Sequence, residues 1–179
     1  MTTITISGAP GTGTTTVAKL LQKRLGLTYI YAGEIFRQEA ERLGFTLQEF
    51  GKFCEKHPEV DRKLDEYQKK ILEKGNVILE GRLSGWIAYL NGIPALKVLL
   101  TADKDTRMQR IIKREGGDRK VKEKEMIERE KSEAKRYREY YNIDINDKSI
   151  YDLVIDTSHK PPEEIVGIII KHLGRLKNE

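Results

Sequence analysis

A glycine-rich segment near the N-terminus constrains the fold of this chain more than any other feature. Residues 8–16 read GAPGTGTTT. The phosphate-binding loop pattern G-x-x-x-x-G-K-[ST] is met at Gly8, Gly13 and Thr15, whereas Thr14 stands at the position of the lysine. The segment therefore has the glycines and the hydroxyl of such a loop but lacks its positive side chain.

The flanking segments place these glycines in a strand–loop–helix unit. Residues 3–7 (TITIS) alternate and are rich in β-branched side chains, which predicts a strand. Residues 15–25 carry apolar side chains at helical spacing, and Gly26 is a helix-stop signal. Loop amides and a helix N-terminus attract an anion, so we predict phosphate binding rather than a turn that merely needs glycine. The predicted set is Ser7, Gly8, Ala9, Pro10, Gly11, Thr12, Gly13, Thr14 and Thr15, with the Thr15 hydroxyl available to Mg²⁺.

Strand and helix patterns alternate through the rest of the chain. Further strands are predicted at 27–31, 76–80, 95–101 and 151–156, and helices at 33–43, 46–55, 60–74, 104–115, 120–141 and 161–173. This alternation predicts an α/β domain with a five-stranded parallel sheet and helices on both faces. Residues 104–141 are mostly lysine, arginine and glutamate, so we expect this helical region to project from the body.

The composition excludes several classes of protein. A length of 179 residues is typical of one domain, and the net charge of +5 suits an anionic ligand without identifying it. Cys54 is the only cysteine, which excludes an internal disulfide and a multi-cysteine metal site. No apolar run approaches the ~20 residues of a membrane span, and the N-terminus has no signal-peptide pattern. We therefore expect a cytoplasmic protein with no membrane partner.

Arginines occur where the missing loop charge could be replaced. Arg37 ends the segment YAGEIFR. Arg82 follows the predicted strand at 76–80, at the sheet edge where ligands of open α/β proteins gather. The alternative for Arg82 is an ion pair with a nearby acid at the start of a helix. The position just beyond a buried strand favours the ligand interpretation.

Two further sets of charged residues each share one helical face in the region 104–141. They are Arg107, Arg110 and Arg114 at i, i+3 and i+7, and Arg129, Glu133 and Arg136 at i, i+4 and i+7. Ordinary ion pairs on a solvated helix are the alternative. A phosphate monoester is largely deprotonated at pH 7, so it needs no general base, only cancellation of its repulsion with a phosphoryl donor. Arginine provides this, and the sequence therefore favours phosphoryl transfer between two polyanions.

Five segments together resemble a known family. They are ISGAPGTGTTTVAKLL, YAGEIFR, VILEGRLSGW, REKSEAKRYREYY and YDLVIDTS, and nearly end to end the chain is similar to cytidylate kinases of the short archaeal form. The resemblance implies a P-loop NTPase fold and transfer of the γ-phosphoryl group of ATP to CMP or dCMP with Mg²⁺. It also implies a single domain with a core (1–32, 75–103 and 150–179), a monophosphate-binding region (33–74) and a lid (about 107–141).

The resemblance assigns roles residue by residue. The loop at 8–15 would hold the ATP phosphates, and Arg37 and Arg82 match arginines that grip the monophosphate. The spacing R-x-x-x-E-x-x-R matches a family pattern whose middle residue is aspartate. It implies that Arg129 and Arg136 contact phosphate and that Glu133 faces the CMP ribose. Leu83 stands where bacterial relatives have an aspartate that reads cytosine.

Our hypothesis for the missing lysine is that Arg110 and Arg114 supply its charge. With Arg129 and Arg136 they form the predicted catalytic set. We expect ATP, CMP and dCMP as ligands, no nucleic-acid partner, and a monomer.

Other interpretations remain to be tested. Another P-loop kinase acting on UMP, AMP or shikimate is the nearest alternative. A single-strand nucleic-acid-binding module would use Tyr137, Tyr140 and Tyr141 between arginines. A regulatory GTPase would need an N-K-x-D run, which the sequence lacks. Asp61 and Asp65 share a helix face and either line the acceptor site or form surface ion pairs.

Overall fold

The computed structural model describes residues 1–176 of the chain. Five strands and eight helices alternate in that range. In chain order they are β1 (Ile4–Gly8), α1 (Thr14–Leu25), β2 (Thr28–Tyr31), α2 (Ala32–Arg42), α3 (Leu47–Lys56), α4 (Pro58–Lys74), β3 (Val77–Glu80), α5 (Ser84–Leu90), β4 (Leu96–Thr101), α6 (Lys104–Glu115), α7 (Arg119–Tyr141), β5 (Leu153–Asp156) and α8 (Pro162–Leu176).

The strands form one parallel sheet in the order β2-β3-β1-β4-β5. The predicted five-stranded parallel sheet is thereby confirmed. Strand β1 lies at the centre, where Thr5 is in register with Leu79 of β3 and Lys97 of β4. Because all strands run the same way, the loop after β1 and the turn after β3 meet at one edge of the sheet. That is the edge where doubly wound folds bind ligands.

Both faces of the sheet are covered by apolar side chains. On one face Ile4 and Ile6 of β1 pack against α1 and α8, and all three elements contribute fully buried residues. On the other face Val77 and Leu79 of β3 pack with α4 and α5 and with Tyr137 of α7. Burial on both sides explains the apolar runs of β3 and β4. The rigid sheet fixes the loop that follows β1.

The element boundaries agree with the predictions to within a few residues. The capping box predicted at Thr46 and Glu49 is present at the start of α3. Helix α4 begins at Pro58, where proline is favoured at the first helical position, rather than at Val60. Helix α5 was not predicted, because its seven residues include a glycine and are too few to show a period.

The prediction that residues 104–141 project from the body is wrong. Met108 and Ile111 of α6 pack with Met126 of α7. The second half of α7 lies against α3 and α4, where Glu133 and Arg136 are buried. The composition suggested projection because charged residues are usually solvated, whereas Glu133 and Arg136 are buried and paired with Arg129 and Asp61.

Cys54 of α3 is buried, which agrees with the expectation of an idle thiol. Burial, together with the charge of Asp61, raises the pKa of the thiol to about 12, so it stays protonated. Within residues 1–176 no helix is long and apolar enough to cross a membrane.

Candidate active site

Two arginines of α6 hold the loop between β1 and α1 by donating hydrogen bonds to its carbonyl groups. Arg107 of α6 donates Nε–H to the Pro10 carbonyl at 2.8 Å. One turn further along, Arg110 donates Nη1–H to the Gly11 carbonyl at 3.2 Å. Because the carbonyl and amide of a trans peptide point in opposite directions, the bond to Pro10 turns the Gly11 amide away from α6, whereas the Thr12 amide donates to the Ala9 carbonyl at 3.3 Å.

The N-terminus of α1 is open to an anion. Its N-cap is Gly13, which makes no side-chain cap, and the first turn has no acidic residue. The backbone is left-handed at Gly11 (φ 84°) and Gly13 (φ 91°). Thr157, beyond β5, donates its hydroxyl to the Thr12 carbonyl at 2.7 Å and braces the loop from the side. The arrangement provides amide donors and a helix dipole for a bound phosphate.

The loop needs glycine at position 11 for a reason that the sequence could not reveal. A Cβ on Gly11 would lie 2.6 Å from the Arg107 carbonyl oxygen, so the close contact is with α6 as well as with any bound phosphate. Gly26 also has a positive φ, yet its Cβ position is open. Comparing substitutions at these two glycines therefore separates the cost of the backbone conformation from the cost of the contact with α6.

We predict that Gly11→Ala lowers Tm at least twice as far as Gly26→Ala. Each substitution places a Cβ in a left-handed conformation, which costs about 1–2 kcal/mol. Only the first also forces α6 away from the loop. Thermal unfolding followed by circular dichroism measures both shifts. Equal losses would show that contact with α6 does not constrain the loop.

A buried carboxylate occupies the floor of the loop. Glu80, the last residue of β3, accepts hydrogen bonds from Thr14 Oγ1 at 2.8 Å and from Thr15 Oγ1 at 2.7 Å, both through Oε1. Tyr29 donates to its other oxygen. Thr14, at the lysine position of the motif, is thus tied to an acid rather than aimed at a ligand. Sequence analysis missed Glu80, although an acid ending the apolar run VILE was a visible signal.

This floor is chemically suited to a magnesium ion. Mg²⁺ prefers hard oxygen donors and is usually bound in phosphate sites by one or two protein groups, substrate phosphates and water. The Thr15 hydroxyl and the Glu80 carboxylate are two such oxygens, and they already lie within 2.7 Å of each other. They would hold the ion next to the phosphates.

The two arginines predicted to replace the lysine have different surroundings. Arg110 donates Nη1–H and Nη2–H to the hydroxyl (2.9 Å) and carbonyl (2.7 Å) of Thr157, in addition to its bond with Gly11. Its guanidinium therefore lies behind the loop. Arg114 lies on the pocket side, is largely exposed, and bonds only its neighbour Glu115 among the described residues. The roles of both remain predictions.

A cluster of arginines around the buried carboxylate of Glu133 lies opposite the loop. Glu133 of α7 accepts Nε–H from Arg82 at 3.1 Å and Nε–H from Arg129 at 3.2 Å, using a different oxygen for each. The Nη groups of both arginines form no hydrogen bond with a described residue. Burial works to raise the pKa of Glu133, but the charges of Arg129 and Arg82 outweigh it, so the pKa lies below its ordinary value. Glu133 therefore stays ionised and orients two guanidinium groups.

Arg136 completes the cluster. It donates Nη1–H to Asp61 Oδ2 at 2.8 Å, and both side chains are 4% exposed. Its guanidinium also lies 5.2 Å from the centre of the Phe36 ring. Arg37, one residue after Phe36 on α2, lines the same pocket and is exposed. The structure thus brings together Arg37, Arg82, Arg129, Glu133 and Arg136, which the sequence placed on three separate segments.

A cavity of about 390 Å³ joins the loop to the arginine cluster. A larger cleft of about 860 Å³, between α2–α3 and α6–α7, adjoins it and shares Arg37, Arg114, Arg129 and Arg136. One wall of the smaller cavity is formed by α4, through Asp61 and Asp65. Both aspartates are buried, so the surface ion pairing considered from the sequence does not occur.

Asp65 is an acid held where ionisation is unfavourable. Burial, followed by the charge of Asp61, raises its pKa to about 7, although the Tyr141 hydroxyl donates to it at 2.7 Å and Arg136 and Arg62 act in the opposite direction. The unfolded chain loses this proton near the ordinary value of about 4. Ionised Asp65 therefore destabilises the fold increasingly as pH rises from about 4 to about 7.

We predict that Asp65→Asn stabilises the protein more at pH 8 than at pH 5. Asparagine does not titrate and can still accept from Tyr141, so the difference from wild type should grow by about 2 kcal/mol across that interval. Urea unfolding at the two pH values measures it. Glu66→Gln, at an exposed position on the same helix, should show no such change. A difference for Asp65→Asn that does not grow with pH would contradict the assignment.

The fold of this chain is that of P-loop kinases. Solved structures with the same fold include the shikimate kinase from Bacteroides thetaiotaomicron (TM-score 0.62, 17% identity, covering 97% of this chain and 98% of that one). Another is the shikimate kinase from Acinetobacter baumannii in complex with shikimate (TM-score 0.60, 16% identity, 100% and 95% covered).

Sequence comparison identifies the family. The model of the cytidylate kinase-like family matches residues 3–159, and the chain belongs to that family. The curated cytidylate kinase of Methanocaldococcus jannaschii is 50% identical over 175 residues, covering 97% of this chain and 98% of the relative. That of Archaeoglobus fulgidus is 48% identical over 169 residues, covering 94% and 92%. The resemblance stated from the sequence is confirmed.

Proposed function

We propose that this chain transfers the γ-phosphoryl group of ATP to CMP, giving ADP and CDP, and that it also accepts dCMP. One observation carries the proposal. A single cavity has an amide-lined helix N-terminus at one end and a cluster of arginines at the other, so it offers sites for two phosphate-bearing ligands. Membership of the cytidylate kinase-like family supports CMP as the acceptor.

The donor site is the loop from Ser7 to Thr15. Its amides and the dipole of α1 bind the ATP phosphates. When bound, Mg²⁺ would neutralise charge on the phosphates, and Thr15 and Glu80 would hold it. Arg107 and Arg110 keep the loop in shape from behind by bonding its carbonyl groups.

The acceptor site is the arginine cluster. The Nη groups of Arg82 and Arg129 are free to grip the monophosphate, because Glu133 engages only their Nε atoms. Arg37 and Arg136 add two further charges at the same cavity. Since the monoester is already deprotonated at pH 7, these groups act by cancelling repulsion and positioning the nucleophilic oxygen. That Glu133 faces the CMP ribose remains a proposal from the family resemblance.

We divide the chain accordingly into a core, a monophosphate-binding region at 33–74 and a lid at about 107–141. The lid, α6 and α7, carries Arg114 and Arg129 to the cavity and would exclude water from the transferring group. Arg114 is the candidate for the direct contact that a loop lysine would make, whereas Arg110 acts through the loop. A monomeric state and a cytoplasmic location remain predictions from the sequence.

The packing of three tyrosines argues against the nucleic-acid alternative. Tyr137 is buried in the apolar cluster between α4, α5 and α7. The hydroxyl of Tyr140 bonds the Cys54 carbonyl, and that of Tyr141 bonds Asp65. These rings are committed to packing and are not a free surface on which bases could stack.

An acceptor panel tests the proposed function. CMP, dCMP, UMP, AMP and shikimate should be incubated separately with ATP and Mg²⁺, and ADP formation measured. We expect kcat/KM for CMP and dCMP to exceed that for AMP and shikimate at least 10-fold. Failure to convert CMP, or preference for AMP or shikimate, would overturn the proposal.

We predict different consequences for the two arginines of α6. Arg114→Ala should lower kcat by about 10²–10³, the usual effect of removing one transition-state contact, with little change in CMP affinity or Tm. Arg110→Ala should lower kcat and also lower Tm, because the loop and Thr157 lose their support. Arg24→Ala, in an exposed ion pair with Glu163, is the control and should change neither. Unchanged turnover in Arg114→Ala would refute its assignment.

A further inference from the structure

Three polar side chains occupy the buried face of α4. Asp61, Asp65 and Gln68 are spaced i, i+4 and i+7, and their exposed fractions are 3%, 7% and 9%. All three line the cavity that joins the loop to the arginine cluster. A helix normally turns apolar residues inward, so this inversion places polar groups at a ligand cavity rather than at the solvent.

Gln68 is the member of this face that lacks a partner. Asp61 is paired with Arg136, and Asp65 accepts from Tyr141. Gln68 Oε1 is buried and has no hydrogen-bond partner within residues 1–176. An unsatisfied buried acceptor costs about 1–3 kcal/mol, and native structures contain few of them. Because Gln68 lines the cavity, its amide comes within reach of a ligand atom when the side chain turns.

The location of Gln68 shows which part of a ligand it would meet. Its Oε1 lies 3.4 Å from the position that a Cβ on Gly81 would take, immediately before Arg82. Asp61 lies at one end of the same helix face and accepts a hydrogen bond from Arg136 of the arginine cluster. A nucleotide whose phosphate lies on the arginines would thus bring its nucleoside part against α4. Apolar side chains of Phe36 and Leu64 also line the cavity and suit a planar ring.

The chemistry of this wall matches an exocyclic amine. Cytosine presents the N4 amine as a donor beside the acceptor N3, and carboxylates and amides accept from N4. The Gln68 amide can accept from N4 and donate to N3 at once. Uracil has a carbonyl oxygen in place of the amine. The Gln68 amide could turn over to donate to that oxygen, but the oxygen would then face the Asp65 carboxyl group, which lies three residues away on the same helix face and already acts as an acceptor for Tyr141. Leu83, where bacterial relatives have aspartate, offers no such contact.

We propose that Gln68, backed by Asp65, reads the amine edge of the acceptor base and makes the site select cytosine over uracil. This inference rests on the proposed CMP kinase function and names the residue that sets its base specificity. A site built to hydrogen-bond one group rejects the analogue without it because its own polar atoms are left unpaired.

Gln68→Met tests the inference. Methionine keeps the length of the side chain and removes both hydrogen-bonding groups. We expect the Kd for CMP to rise about 10- to 50-fold by calorimetry, the Kd for UMP to change less than 3-fold, and the CMP preference in kcat/KM to fall by a similar factor. The Kd for ATP should not change, and Tm should stay the same or rise, since a buried unpaired group is removed. Gln38→Met, the same change at an exposed position on α2, is the matched control.

A second variant separates the acceptor group of Gln68 from its donor group. Gln68→Glu retains an acceptor for the amine and loses the donor for N3, so it should bind CMP more weakly than wild type but keep the preference over UMP. Preserved selectivity in Gln68→Met, or lost selectivity in Gln68→Glu, would overturn the inference. Failure of the wild-type protein to phosphorylate CMP would instead overturn the proposed function, so the two failures are distinguishable.

Discussion

The pairing of the buried Glu133 carboxylate with two arginines is the interaction on which the arginine cluster depends. It joins α7 to the turn after β3 by bonding Arg82 and Arg129 through separate oxygens. A buried charge without partners would be costly, and removing one partner of such a group destabilises strongly. Here the arrangement fixes two guanidinium groups with their outer nitrogens turned to the cavity. An ion pair that contributes little to net stability can thus position a binding surface.

The donor half uses arginine in another way. Arg107 and Arg110 bond the carbonyl groups of the loop, and Thr157 bonds a third, so side chains of the protein itself hold the loop conformation. Such preorganisation lowers the cost of binding a polyanion. Thr14, which replaces the usual lysine, is bonded to Glu80. The positive side chains at the cavity come from other elements of the fold, and Arg114 is the α6 arginine that lines it.

Helix α4 shows where local rules of folding are broken. Its inner face carries Asp61, Asp65 and Gln68 in place of apolar residues, and the pKa of Asp65 is raised to about 7 by burial and by its neighbour. Departures of this kind cluster at functional sites, where the gain is in binding rather than in stability. The sequence showed that the two aspartates share a face but could not show whether that face met solvent or ligand.

The sequence by itself determined the strand–loop–helix unit, the five parallel strands, the capping box at Thr46 and the family, because these depend on local spacing and on residues close together in the chain. Only the tertiary structure decided that α7 is docked rather than projecting and that Glu80 forms the floor of the loop. It also decided that Gln68 lies at the cavity with no hydrogen-bond partner for its Oε1 among residues 1–176. The physical reason is distance along the chain. The bonds that bury these charges join residues 51 to 75 positions apart, as in Arg82–Glu133 and Asp61–Arg136, and no local pattern records which partner a charge will meet.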